Sequence, residues 1–194
     1  MDDYILITTS SPHIHSGESI SRIMFSVAIA LLLPTFAGIY FFGFRALGLV
    51  IVTSIAAILT EVIFQRLRNK PITISDGSAL VTGMLLALNL PPGLPYWMAV
   101  VGAVVAISLG KQIYGGLGAN PFNPALIGRV FLMITFTTPM TTWINPVDGT
   151  TRATPLALMK MEGISTDYVK LFFGNVGGSL GETSAFLIII GGLY

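Results

Sequence analysis

The sequence has no cysteine, and only 10% of its 194 residues are charged, against about 25% in a typical soluble domain. Without cysteine, the chain alone cannot form a disulfide, a thiolate metal site or a cysteine-ligated iron–sulfur cluster. Ten Lys and Arg balance nine Asp and Glu, so no net field favours nucleic acid as a partner. Because 53% of the residues are hydrophobic, the charges are too few to cover the chain in water. The low content of charged residues and the high content of hydrophobic residues indicate a membrane protein.

What the chain has instead is a series of uncharged apolar runs, which predict helices that enter or cross a bilayer. The run at 77–110 is too long for one helix, and the prolines at 89–95 interrupt its backbone hydrogen bonding, so it predicts two short helices. The predicted fold class is an all-α polytopic membrane protein, a helical bundle with short broken helices. The five predicted helices cover residues 23–44, 46–64, both halves of 77–110, and 124–138.

Charges in the short loops predict the orientation of these helices. The first 22 residues are polar and lack a secretory signal, so we expect a cytoplasmic amino terminus. The positive-inside rule assigns the two most basic loops to the cytoplasm as well. Five crossings then place residues 139–183 outside. The basic residues concerned are Arg66, Arg68 and Lys70 in one loop, and Lys111 and Arg129 in the other.

The last apolar run begins at Ser184 and is too short to cross a bilayer, so we expect the chain to be the amino-terminal part of a longer protein. The expected division is a cytoplasmic segment at 1–22, a five-helix membrane domain at 23–138, an extracytoplasmic loop at 139–183, and the start of a sixth transmembrane helix at 184–194.

The expected outer loop contains the most informative segment, Asp-Gly-Thr-Thr-Arg-Ala-Thr at residues 148–154. It joins a turn-forming Asp-Gly pair to a cluster of hydroxyls in an otherwise apolar chain. Thr154, beside the small Ala153, offers a nucleophilic oxygen that could carry a phosphoryl-linked group. The alternative is an ordinary Asp-Gly turn followed by threonines.

A second segment, residues 115–129, contains too many glycines and prolines for a lipid-facing helix, so we expect it to line a cavity enclosed by protein. Asn120 and Asn123 can both donate and accept hydrogen bonds to a planar heterocycle. The alternative is that these asparagines cap the following helix. The glycine-rich stretch at 174–181 lacks the Lys-Ser/Thr ending of a phosphate loop, which argues against nucleotide hydrolysis.

Several spaced motifs together resemble the D subunit of the Rnf complex, an ion-translocating ferredoxin:NAD oxidoreductase, and more distantly the B subunit of the sodium-pumping NADH:quinone oxidoreductase. The resemblance spans nearly the whole chain. Its motifs are Ser-Pro-His-Ile at 11–14, Ser-Asp-Gly-Ser-Ala-Leu-Val-Thr-Gly at 75–83, Asn-Pro-Phe-Asn-Pro-Ala-Leu-Ile-Gly-Arg at 120–129, the 148–154 heptapeptide, and Gly-Glu-Thr-Ser at 181–184.

The resemblance implies a covalent flavin. In the family, a flavin transferase joins FMN through its phosphate to the last threonine of an Asp-Gly-x-Ser/Thr-x-Ala-Thr motif. Here that residue is Thr154, and the recognition frame for the transferase is Asp148, Gly149, Thr151 and Ala153. Arg152 departs from the motif, which commonly has a small residue there; a cation at this position could hinder the transferase or pair with the phosphate.

Further expectations follow from the same resemblance. The related quinone-reducing subunit holds a non-covalent riboflavin near asparagines that match Asn120 and Asn123. The expected partners are the A, B, C, E and G subunits of the Rnf complex, in a bacterial or archaeal cell membrane, with Na⁺ or H⁺ as the translocated ion. The chain then represents the amino-terminal half of an internal pseudo-repeat. A tethered flavin also suits a redox subunit without cysteine, because the cofactor supplies the electron chemistry.

Two sets of residues raise the question of metal or ion binding. His13 and His15 lack the neighbouring ligands of a metal site, so no metal is predicted. Glu61, Asp76 and Lys111 could pair or line a cation route, or they could mark helix ends at the membrane interface; the sequence favours helix ends.

The predicted helices alone fit two other functions. One is a channel or transporter that binds a small polar solute, and the other is a membrane scaffold. The expected outer heptapeptide favours the flavoprotein, because neither alternative needs it.

Overall fold

The computed structural model describes residues 18–145, 149–151, 153–163, 165, 167–174 and 176–194. Within these ranges the protein is a bundle of α-helices, and the sole β pairing there is an isolated bridge between Ile144 and Thr151. The all-α fold class predicted from the sequence is confirmed.

Two long helices open the described chain, α1 at Ile20–Phe42 and α2 at Phe44–Leu67. Gly43 alone separates them, and its φ of 70° lies in a region that L side chains rarely adopt. At about 1.5 Å per residue each helix is roughly 35 Å long, enough to cross a hydrocarbon core of about 30 Å. In the described part of the chain, these two helices have the length and apolar composition of membrane crossings. They match the first two predicted spans.

Two shorter helices follow, α3 at Ser78–Leu88 and α4 at Tyr96–Ile107. A single 3-10 turn at Ile74–Asp76 precedes α3, and a π-helical segment at Ser108–Gln112 extends α4. The Pro-rich loop between α3 and α4 lies where the sequence predicted a break.

Further helices follow in the described residues, and the first of them, α5, packs against α3 and α4. α5 ends at Thr135, where Phe136 leaves the helical region with φ −125° and ψ 55°. The last helix packs along α1, with Gly191 close to the carbonyl oxygen of Ala30. These helices are α5 at Pro124–Thr135, α6 at Thr137–Thr141, α7 at Pro155–Glu162, α8 at Tyr168–Phe173 and α9 at Ala185–Leu193.

Side-chain to backbone hydrogen bonds hold each end of the bundle together. At one end, Arg45 donates to the carbonyl oxygens of Pro92 and Gly93, at 3.2 and 2.9 Å. At the other end, Arg68 donates to the carbonyl oxygen of Gln112. Because α2 runs between these ends, the basic loop after α2 and the Pro-rich loop lie on opposite sides of the bundle.

Candidate functional site

Within the 148–154 heptapeptide, the described residues Gly149, Thr150 and Thr151 fold back against Ile144 and Asn145. The backbone N–H of Asn145 donates to the carbonyl of Thr150, and the N–H of Gly149 donates to the carbonyl of Asn145, both at 2.9 Å. Gly149 has a φ of 64°, which a residue with a side chain would adopt only at a cost. The bridge from Ile144 to Thr151 closes the turn. Asp148 and Arg152 lie outside the described residues.

Thr154 lies where this turn meets α7, and it is the N-cap of that helix. Its φ of −63° and ψ of 156° are extended, and its hydroxyl oxygen accepts a hydrogen bond from the N–H of Ala157 at 3.3 Å. Pro155 follows at the first helical position, where the absence of an N–H does no harm. The Thr154 hydroxyl oxygen therefore lies at the positive end of a helix dipole.

A cleft of about 460 Å³ opens beside Thr154. The structure brings Thr151, Ala153 and Thr154 together along this cleft, which Gly149 does not line. Trp143 also lines the cleft and adds a large aromatic wall, a residue that the sequence reasoning missed. Hydroxyls and one indole ring thus surround the half-buried Thr154. The described residues that line the cleft are Thr141, Thr142, Trp143, Thr151, Ala153, Thr154 and Ala157.

The side chains of Asn120 and Asn123 make different local hydrogen bonds. The side-chain oxygen of Asn123 accepts from the N–H of Ala125 at 2.9 Å and caps α5, as the alternative interpretation predicted. The amide of Asn120 donates to the carbonyl of Phe122 at 3.0 Å, within the loop. Asn123 is exposed, so this chain by itself does not enclose the segment as the sequence led us to expect.

Asn123 nevertheless lies at the edge of a groove between α4 and α5. The groove has a volume of about 500 Å³ and is almost wholly apolar, with Asn123 its one amide side chain. Asn120 does not line it. The other lining residues are Val105, Leu109, Phe122, Leu126, Ile127, Val130 and Phe131.

A buried ion pair joins α2 to the π-helical segment. The Lys111 ammonium lies 2.6 Å from Glu61 Oε1, and the two side chains are only 2% and 1% exposed. The helix-end interpretation favoured from the sequence is therefore wrong for this pair, because both groups are in the interior. Asp76 does lie beside a helix end, since it accepts a hydrogen bond at 2.8 Å from the N–H of Ser78, the first residue of α3.

Three polar residues around this pair were not recognised in the sequence. Gln65 and Gln112 donate to Glu61 Oε1 at 3.3 and 2.9 Å, and Lys111 also donates to the hydroxyl of Ser78 at 2.5 Å. Gln65 could have been found, since it lies one helical turn after Glu61. Ser78 carries no such signal, because its partner is 33 residues away in sequence.

Comparison with known proteins places these features in a family. The model of the NQR2, RnfD, RnfE family matches residues 7–194, which include the turn, Thr154 and the buried ion pair. The chain belongs to this family. The resemblance noted from the motifs is confirmed.

Named relatives give the same family membership in more detail. The chain is 45% identical to the D subunit of the proton-translocating ferredoxin:NAD(+) oxidoreductase complex of Clostridium ljungdahlii, across 98% of this chain and 62% of the relative. It is 46% identical to the Na(+)-translocating counterpart of Acetobacterium woodii, across 100% and 63%. It is 40% identical to the D subunit of the ion-translocating oxidoreductase complex of Stutzerimonas stutzeri, across 91% and 60%. The chain thus spans 60–63% of the length of these relatives.

Proposed function

We propose that this chain carries FMN on Thr154 and belongs to a membrane subunit of a redox-driven complex that moves ions as electrons pass between ferredoxin and NAD. The names of the relatives support the complex and its reaction. The observation that carries the flavin assignment is the position of Thr154, whose hydroxyl caps α7 and borders an open cleft.

The N-cap position suits a phosphate ester. The N–H groups of the first turn of α7 point toward the Thr154 oxygen, and Ala157 already donates to it at 3.3 Å. A phosphate attached there gains further acceptor oxygens for the same N–H groups and lies at the positive end of the helix dipole. Thr150 and Thr151 lack this setting, because they belong to the turn that precedes the helix.

The cleft beside Thr154 suits the part of FMN beyond the phosphate. Bound FMN would supply the electron-transfer chemistry, for which the chain has no cysteine to ligate an iron–sulfur cluster. Trp143 offers a flat face for a planar ring, and Thr141 and Thr142 offer hydroxyls for its polar edge. A flavin transferase would recognise the turn through Asp148, Gly149, Thr151 and Ala153.

The groove beside Asn123 is the proposed place for a second, non-covalent riboflavin. Its apolar walls include the rings of Phe122 and Phe131, and the Asn123 amide can still donate while its oxygen caps α5. Asn120 would act indirectly, because its side chain holds the loop that carries Phe122. Neighbouring subunits or the rest of the protein would complete the enclosure.

We further propose the orientation and the partners. The loop with Arg66, Arg68 and Lys70 faces the cytoplasm, and Thr154 faces the opposite side of a bacterial or archaeal membrane. The Pro-rich loop lies at the opposite end of α2 from the basic loop, and its Gly93 lies close to Ile144, the bridge partner of Thr151, which supports this orientation. The partners are the A, B, C, E and G subunits of the Rnf complex.

Peptide mass spectrometry of the full-length protein, produced together with an active flavin transferase, tests the proposal directly. We expect the peptide that contains Thr154 to gain the mass of FMN less one water, with the fragment ions placing the addition on Thr154. An unmodified peptide would reject the covalent flavin and favour the channel or transporter.

A further inference from the structure

Arg129 is a charged residue in the middle of an apolar helix. The sequence grouped it with a cytoplasmic basic loop, but the structure places it midway along α5, which runs from Pro124 to Thr135. About 8 Å of helix therefore separates its Cα from either end of α5. The side chain is half-buried. Because ionisable residues within membrane helices are rare and almost always have a partner, Arg129 points to a binding site.

A single neutral side chain holds the guanidinium. Arg129 Nη1 donates to Oδ1 of Asn89 at 2.7 Å, and the Asn89 amide donates to the carbonyl oxygen of Leu85 at 2.8 Å. The second hydrogen bond fixes the amide so that its oxygen faces α5. No other hydrogen bond and no ion pair of Arg129 lies within the described residues. Since a guanidinium has five N–H donors, most of these donors and the whole charge remain available to a ligand.

Close packing holds Arg129 at this position. A Cβ built on Gly128 would lie 2.6 Å from the carbonyl oxygen of Gly102 on α4 and 2.9 Å from the Cβ of Ala106. A Cβ built on Gly102 would lie 2.5 Å from Cδ1 of Leu132, one turn further along α5. The residues on either side of Arg129 thus seat α5 against α4 and fix its rotation. The charge must therefore be neutralised where it lies.

We propose that Arg129, oriented by Asn89, is a carboxylate-binding site of the membrane domain, and that its ligand is an aspartate or glutamate on a transmembrane helix beyond residue 194 of the full-length protein. The guanidinium presents paired N–H groups, whose fork matches the two oxygens of a carboxylate. The site is separate from the apolar groove beside Asn123, because Arg129 does not line that groove.

Charge and chain length together favour this ligand. A carboxylate neutralises the guanidinium, whereas an amide or a backbone carbonyl leaves the charge unbalanced. A lipid phosphate lies at the headgroup level, which is nearer to the ends of α5 than to its middle. Because an unpaired charge in a bilayer is costly, it must be neutralised when the subunit folds, which favours the same polypeptide over a partner subunit. The relatives have the necessary length, since the chain spans only 60–63% of it.

The first test gives the site an amine that a carbodiimide can couple. In the purified complex with Arg129→Lys, dicyclohexylcarbodiimide activates the bound carboxylate, and the new amine displaces dicyclohexylurea to form an amide. We expect peptide mass spectrometry to find the peptide of residue 129 joined, with the loss of one water, to an acidic peptide from beyond residue 194. The wild-type complex is the control. A link to another subunit, or no link in an assembled complex, would overturn the proposal.

The second test uses the wild-type complex and does not depend on a variant that folds. Phenylglyoxal crosses membranes and modifies arginine side chains that are not engaged by an anion. We expect the exposed Arg66 to be modified several-fold faster than Arg129. Equal rates at the two residues would show that the Arg129 guanidinium is unoccupied.

A rescue experiment separates charge pairing from packing. Arg129→Met removes the guanidinium and leaves the linked carboxylate unpaired, so we expect a lower midpoint of thermal unfolding in the full-length protein. Changing the linked acid to its amide in the same protein should recover part of that loss. Arg66→Met, at an exposed position, is the matched control and should keep the wild-type midpoint. Additive losses from the two substitutions would mean that Arg129 does not bind that carboxylate.

Discussion

Gly83 on α3 packs directly against the backbone of Ser54 on α2. A Cβ built on Gly83 would lie 2.6 Å from the Ser54 Cα, a distance that real Cβ atoms essentially never show, and 3.0 Å from the Ser54 backbone nitrogen. Membrane helices commonly use small residues to approach this closely, because dispersion contacts between backbones replace the hydrophobic effect. The contact also positions α3, whose first residue, Ser78, accepts a hydrogen bond from Lys111.

Gly83→Ala should therefore destabilise the protein, because the methyl group forces α2 and α3 apart. Overpacking of this kind costs about 1–3 kcal/mol, which thermal unfolding of the purified full-length protein would detect as a lower midpoint. Gly192→Ala is the matched control, since this glycine is also helical but has nothing within 4 Å of a built Cβ. Equal midpoints for the two variants would contradict the close packing of α2 and α3.

Substitutions at Thr154 should separate the nucleophile from the helix cap. Thr154→Ser keeps an oxygen for both roles and should retain flavin, whereas Thr154→Val keeps the shape, loses both roles and should retain none. Loss of the cap costs about 1 kcal/mol. Thr154→Asn restores a capping side chain without a hydroxyl, and it should fold normally but carry no FMN. In-gel fluorescence of the denatured polypeptide measures the covalent flavin. Flavin that persists in the Asn variant would place the ester on another residue.

The absence of cysteine makes the proposed orientation testable by thiol labelling. Lys160→Cys on α7 should react with a membrane-impermeant maleimide in intact cells, and Arg66→Cys should react only after the cells are opened. Both positions are exposed in the structure. Arg66 is a better site than Arg68, which donates to the carbonyl of Gln112. External labelling of Arg66→Cys would reverse the orientation and place the Thr154 loop in the cytoplasm.

Breaking the buried pair should cost more than removing it. Lys111→Met leaves Glu61 as an uncompensated buried charge, and Glu61→Leu does the same to Lys111, so each should lose about 3–5 kcal/mol of stability. Glu61→Leu/Lys111→Met removes both charges and should recover part of the loss. Thermal unfolding in a sodium-free buffer completes this double-mutant cycle. Additive losses would mean that the two side chains do not interact.

Asn123 offers a test between helix capping and flavin binding. Asn123→Ser keeps an oxygen that can cap α5 but shortens the side chain and removes its N–H donors, whereas Asn123→Leu removes both functions. If the amide contacts riboflavin, the two variants should lose acid-extractable flavin equally while covalent FMN stays constant. Asn120→Leu should lose less, because Asn120 does not line the groove. Normal extractable flavin in Asn123→Ser would leave only the capping role.

The sequence alone determined roughly where α1 to α5 lie, because the signals that begin and end them are local, whereas α7 and α8 form within residues that it predicted as a loop. Uncharged runs predicted α1 and α2, and the prolines at 89–95 predicted the break between α3 and α4. The family could also be recognised from the sequence, since its motifs are short and lie in order along the chain. The assignment of FMN to Thr154 comes from such a motif and stays a prediction.

Only the tertiary structure decided which distant residues meet. Glu61 and Lys111 are 50 positions apart, and their pairing depends on the way α2 packs against the extension of α4. Each charge alone fits a helix end at the interface, so the sequence favoured the wrong environment for both. Trp143 likewise lines the cleft beside Thr154, although the two residues are not neighbours in the sequence. Burial and partners are properties of the packed bundle, and no local pattern specifies them.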